Sequence, residues 1–179
     1  MQARISVLPF GLLVVALFAA LLPVSARAHD PYEIWTIAVL RADHLELGIT
    51  MAQSTALRLV DPQMKGGAIS FENFASHRAR LEQEAAVLCI LTAGRKPLTA
   101  RKIEVELTEE NDVTFRIAYP RPPPGRLHFH AACLKKLGAG YGGILDASDT
   151  SGNHLGWEQL SFENPNFEVT VPAPSPPKK

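Results

Sequence analysis

The strongest restriction on the fold is a period-two alternation of apolar and polar side chains that recurs along most of the chain. Leu45, Leu47, Ile49 and Met51 alternate with His44, Glu46, Gly48 and Thr50. Ile103, Val105 and Leu107 alternate with Glu104 and Glu106, and Val113, Phe115 and Ile117 with Thr114 and Arg116. Phe167, Val169 and Val171 repeat the pattern near the C-terminal end. Successive side chains of a strand point to opposite faces, so such runs build sheets with one buried and one solvated side. Turn-forming residues fall between them: Arg41-Ala42-Asp43, Glu109-Glu110-Asn111-Asp112 and Asp149-Thr150-Ser151-Gly152-Asn153. Pro120 and Pro122-Pro123-Pro124-Gly125 predict a stiff corner that cannot donate to a ladder. The expected fold is a mainly β, antiparallel sandwich, immunoglobulin-like, of about nine strands.

One segment departs from this period. Phe71, Phe74, Ala75, Ala79, Leu81, Ala85 and Ala86 fall on one helical face, with Ser70 as the expected N-cap. Arg78 and Glu82 stand four apart and are expected to pair at its flank. This predicts a single α-helix crossing between parts of the sandwich. The sandwich domain is expected over 29–171, followed by a Pro-rich tail over 172–179 that cannot pack and is expected to be disordered.

The first 28 residues predict an export signal. Arg4 precedes a mostly apolar run from Ile5 to Leu22, and Ala26-Arg27-Ala28 places small residues where signal peptidase requires them. Cleavage near Ala28 implies a periplasmic or secreted protein. No second apolar run approaches the roughly 20 residues of a transmembrane helix, so the mature chain is expected to have none. The whole sequence has 18 Lys+Arg against 18 Asp+Glu, and this neutral balance argues against a nucleic-acid partner. In an oxidising compartment Cys89 and Cys133 are expected to form a disulfide. The alternative is two buried thiols acting as small apolar side chains.

Candidate metal ligands are few. Cleavage exposes His29 as a new N-terminus, whose amine and ring nitrogen suit copper. If Ile34–Leu40 pairs antiparallel with Leu45–Met51, His44 lies at the turn, roughly 23 Å away and out of reach, whereas Met51 and Gln53 return to the same end. His128 and His130 point to one face of a strand and are a second candidate pair, for copper, nickel or zinc. His77 and His154 are weaker candidates. No nucleophile elbow, zinc-protease motif or phosphate loop occurs. Gly138, Gly140, Gly142 and Gly143 straddle a strand start, where a bulge or close backbone approach is the ordinary reason. Glu104 and Glu106 lie on an outer strand face, where solvation explains them.

Several segments together resemble the extracytoplasmic N-terminal domain of hydrogenase/urease accessory proteins of the HupE/UreJ type. They are AHDPYE at Ala28–Glu33, VLRADHLELGITMA at Val39–Ala52, Leu98–Phe129, and LGAGYGGILDASDTSGNHLGWEQLSFENPNFEV at Leu137–Val169. In that family the domain precedes a multi-helix membrane region associated with nickel or cobalt. This sequence stops at Lys179 without such a span, so neither transport nor any ligand residue carries over.

These readings lead to one expectation and two alternatives. The expectation is a non-enzymatic binding or interaction module acting with a membrane or envelope protein. The first alternative is a periplasmic copper- or nickel-binding or delivery protein using His29, or His128 with His130. The weaker one is a hydrolase whose site assembles only in space.

Overall fold

A computed structural model describes residues 30–64 and 66–173. The expected export signal over 1–28, His29 and the tail from residue 174 lie outside the described residues. Among the described residues, ten strands and three helices follow in the order β1 (Glu33–Leu40), β2 (His44–Ala52), α1 (Gln53–Val60), α2 (Phe74–Leu88), β3 (Ile90–Ala93), β4 (Lys96–Pro97) and β5 (Lys102–Leu107). Then come β6 (Asp112–Pro120), β7 (Gly125–His130), α3 (Ala132–Leu137), β8 (Gly142–Asp149), β9 (His154–Ser161) and β10 (Asn166–Val171). The protein is mainly β, as its alternation predicts.

The strands form two sheets. One has six, in the order β5-β6-β2-β1-β8-β9, and the other has four, in the order β10-β7-β3-β4. The β1–β2 hairpin pairs in the expected register, Ile34 opposite Met51 and Leu40 opposite Leu45. Every ladder is antiparallel except β1 with β8, which run parallel. A parallel pair needs a long crossover, and here the chain between them carries all three described helices and three of the four strands of the smaller sheet, β3, β4 and β7. Leu127, Phe129, Val169 and Val171 of the small sheet face Ala38, Leu40, Leu45 and Ala147 of the large one, giving a sandwich-like arrangement. Alternate residues of β1, β2 and β6 are buried, so one side of the large sheet supplies core and the other is left outside.

The helices differ from expectation in number and in detail. α2 starts at Phe74 rather than after Ser70, because Ser70 does not cap it. Its backbone N–H donates to Asn73 Oδ1 at 2.8 Å, and its carbonyl accepts from the Phe74 N–H. The buried stripe is Leu81, Ala85 and Leu88, spaced i, i+4, i+7, while Phe71 and Ala86 stay exposed. Arg78 and Glu82 pair as expected, at 2.9 Å. α1 and α3 were not expected. α1 follows β2 without a break and buries Thr55, Ala56, Leu57, Leu59 and Val60. Among the described residues no helix is long and apolar enough to cross a membrane.

The expected disulfide is not formed. Cys89 and Cys133 are free thiols at 2% and 5% exposure, packed in the apolar core between α2, β3 and α3. Burial pushes the Cys133 thiol up to about 12, and burial with the neighbouring Cys133 pushes Cys89 higher still. The pair acts as small apolar side chains, in a core that already has many larger ones.

Candidate interaction face

The outer side of the six-stranded sheet carries the most unusual surface. On β1, Trp35, Ile37 and Val39 point away from the core, and Trp35 and Ile37 are 41% and 52% exposed. In the parallel register Ile144 lies beside Trp35 and Asp146 beside Ile37. Across Asp146 on β9 stands Trp157, 61% exposed. The two indoles alone expose roughly 250 Å², given the size of an aromatic side chain. On a water-soluble sheet face such positions are ordinarily polar.

On the other flank of β1 the face is hollow rather than raised. Gly48 lies opposite Ile37, and an added Cβ there would touch only the Ile37 carbonyl oxygen, at 3.9 Å. The missing side chain leaves a depression of about 360 Å³ walled by Trp35, Ile37, Val39, Thr50, Thr114 and Arg116. The Thr50 and Thr114 hydroxyls bond to each other at 3.0 Å, so the depression offers little hydrogen-bonding capacity of its own.

Charge on this face is mostly in pairs, and one pair, Asp146 with His154, falls within the row, where Asp146 stands between Ile37 and Trp157. Arg41 meets Glu46 at 2.6 Å, Arg116 meets Glu106 at 2.6 Å, and His154 meets Asp146 at 3.0 Å. Exposed pairs of this kind add little stability. They do satisfy charges that would otherwise have to be desolvated if a partner covered the row. An apolar centre within a polar rim is the anatomy of a protein-binding surface.

The predicted ligand residues fall elsewhere. His29 lies outside the described residues. Met51, which had seemed able to join it, is 1% exposed with its thioether in the core, and Gln53 donates to Asn111 Oδ1 at 3.3 Å. His44 sits at the hairpin turn, bonded to Asp43 at 2.6 Å, and that bond holds the Asp43 carboxyl below its ordinary range. His128 and His130 do share the outer face of the small sheet. His128 lies opposite Glu168 and His130 opposite Asn166, whose Oδ1 is 2.8 Å from His130 Nδ1. Among the described residues no three His, Cys, Asp or Glu converge as a metal set.

Glu104 and Glu106, expected on an outer strand face where solvation explains them, are both ion-paired. Glu104 is bonded to Lys102 at 2.8 Å, which holds it below the usual carboxylate range, and Glu106 is held by Arg116. Both border a groove of about 470 Å³ that Phe71 and Phe74 also line, and for Glu104 the shift is opposite to what a general acid needs. The close approach expected for the glycines is present. A Cβ at Gly142 would lie 2.8 Å from the Leu160 carbonyl oxygen, and one at Gly143 would overlap that of Ile34.

No protein-family model matches the chain, and no characterised protein matches it.

Proposed function

We propose that this protein is a non-enzymatic binding module, exported after cleavage near Ala28, that docks on an envelope or membrane-bound protein through the outer face of its six-stranded sheet. The observation that carries this reading is the set Trp35, Ile37, Val39, Ile144 and Trp157, facing outward on adjacent strands, with the charges among and around them, Asp146 included, held in ion pairs. Tryptophan is the residue most enriched at binding hot spots, because it covers a large area with few torsions to freeze. The resemblance to the extracytoplasmic domain of HupE/UreJ-type proteins agrees with an envelope setting and a partner in the membrane.

The test is cross-linked co-purification of the tagged full chain from envelope extracts, with Ile37→Lys and Trp157→Ala in parallel. Both positions are exposed, so their thermal unfolding should match the parent within a few degrees. Loss of a defined partner band in both variants is the expected result. An unchanged set of partners in both would overturn the assignment to this face.

A second reading, metal binding for delivery, is favoured by the common face of His128 and His130. It predicts stoichiometric copper or nickel uptake that disappears in His128→Ala/His130→Ala. Titration calorimetry with the metal salt alone decides it, and absence of uptake would remove it.

A further inference from the structure

Four separate segments converge beyond the start of β1, away from the outer face of the large sheet. They are Pro31–Tyr32, the exposed side of α1, the loop after α1, and Tyr141 at the end of the glycine-rich stretch. The Tyr32 and Tyr141 rings meet edge to face with centroids 5.1 Å apart. The Arg58 guanidinium lies over the Tyr141 ring, 5.8 Å from its centre. Leu57, Met64 and Gly67 complete a concavity of about 210 Å³.

The chain invests structure in holding these groups. Thr55, buried in α1, donates its hydroxyl to the Pro31 carbonyl and so ties the segment before β1 to the helix. The Gly142 N–H donates to the Tyr32 carbonyl at 3.1 Å, which sets the two tyrosines side by side. Gly138 and Gly140, both at positive φ, shape the loop that delivers Tyr141. What remains unmatched is charge. Arg58, like Arg80 and Arg95, forms no ion pair with a carboxylate among the described residues, but unlike them it rests on an aromatic ring at the wall of a concavity. An aromatic-backed guanidinium keeps its five N–H donors for a planar anion.

We infer that this concavity binds a small organic anion with a flat apolar body, its carboxylate on Arg58 and its ring against Tyr32 and Tyr141. The size suits a ligand of one or two rings, below the usual range for larger cofactors. Recognition needs both parts. The ring gains area against the tyrosines, Leu57 and Met64, and the carboxylate supplies the negative charge that no described residue places on Arg58. The inference does not rest on the sheet face proposed above.

Naphthalene-2-carboxylate is the probe, titrated into the full chain and followed by amide chemical shifts and calorimetry. Naphthalene-2-methanol and acetate serve as the neutral and ringless controls. Saturable shifts at Tyr32, Arg58, Gly67 and Tyr141 are expected, with each control at least tenfold weaker. Arg58→Gln should weaken the probe at least tenfold, and Tyr32→Ala several-fold. Arg58→Lys should fall between, since it keeps the charge and loses the planar fork. Arg58 and Tyr32 are exposed, so their variants should keep the parent unfolding midpoint, while Trp157→Ala should leave probe binding unchanged. Absence of saturable shifts, equal affinity for the alcohol, or undiminished binding in Arg58→Gln would each overturn the inference.

Discussion

At Gly143 an added Cβ would overlap the Ile34 carbonyl oxygen, inside the one parallel ladder of the fold. Backbone cannot move aside there without separating β1 from β8. Gly143→Ala should therefore destabilise by about 3 kcal/mol or more, within the range of overpacked sites. Gly152 is the matched control. It has positive φ (78°) in an exposed turn with nothing near its missing Cβ. Gly152→Ala should cost only about 1 to 2 kcal/mol, the left-handed backbone penalty alone. Urea unfolding of the two variants measures the contrast, and equal losses would mean that β8 does not lie so close. The thiols give a second prediction at this scale. Cys89 and Cys133 have pKa values raised by burial, Cys133 to about 12 from 9.0. The unfolded chain therefore releases these protons at lower pH than the folded one. Their contribution to stability is complete below about pH 9 and is lost as pH rises through about 12. Alkaline unfolding should accordingly be shallower in Cys89→Ala/Cys133→Ala, and native protein should resist charged thiol reagents until it is denatured.

Strand identity was legible because Leu45 through Met51 and Val113 through Ile117 need only a period of two to be recognised, and burial follows that period residue by residue. α1 was not legible. Its eight residues span barely two turns, and Leu57-Arg58-Leu59 mimics strand alternation. Tertiary burial of five of those eight side chains decides the helix instead. α2 was found, but its buried stripe was misplaced, because Phe71 and Ala86 fit the period and yet stay exposed. The interaction face was hidden for a related reason. Trp35 and Ile37 lie in a run, Glu33–Leu40, that is apolar on both faces, and only the sheet order shows which side is uncovered. β2 offers a direct probe of that side. Gly48 has room for a side chain and no positive φ, so Gly48→Val fills the depression beside Ile37. A strand interior favours valine over glycine, so stability should rise by roughly 0.5 to 1 kcal/mol. Partner capture should fall in the same variant, since the hollow is gone. A more stable protein that still captures its partner would place the contact on the Trp157 side of the sheet.

Across the whole molecule, one contiguous core joins both sheets and all three helices, so the two surfaces are presented by a common body. The described residues open with a tight turn. The Asp30 carbonyl accepts from the Glu33 N–H at 3.0 Å, Asp30 Oδ1 accepts from the Tyr32 N–H at 3.0 Å, and β1 starts at Glu33. Cleavage after Ala28 would thus leave a single residue, His29, ahead of the first folded turn. The proposed export makes a definite demand on a chain so constructed. If the chain is exported as proposed, peptidase must cut after Ala28 before the Asp30 turn closes next to that site. Intact-mass measurement on protein recovered from the envelope fraction should therefore show only a chain beginning at His29. Leu at position 28 in place of Ala, blocking the small-residue requirement, should give full-length protein retained at the membrane by its apolar leader. The same spectra count thiols, because closure of Cys89 onto Cys133 would lower the mass by about 2 Da. Full-length protein in the cytosol would remove export, and with it the envelope partner, while leaving the sheet face and the Arg58 concavity to be judged by their own titrations.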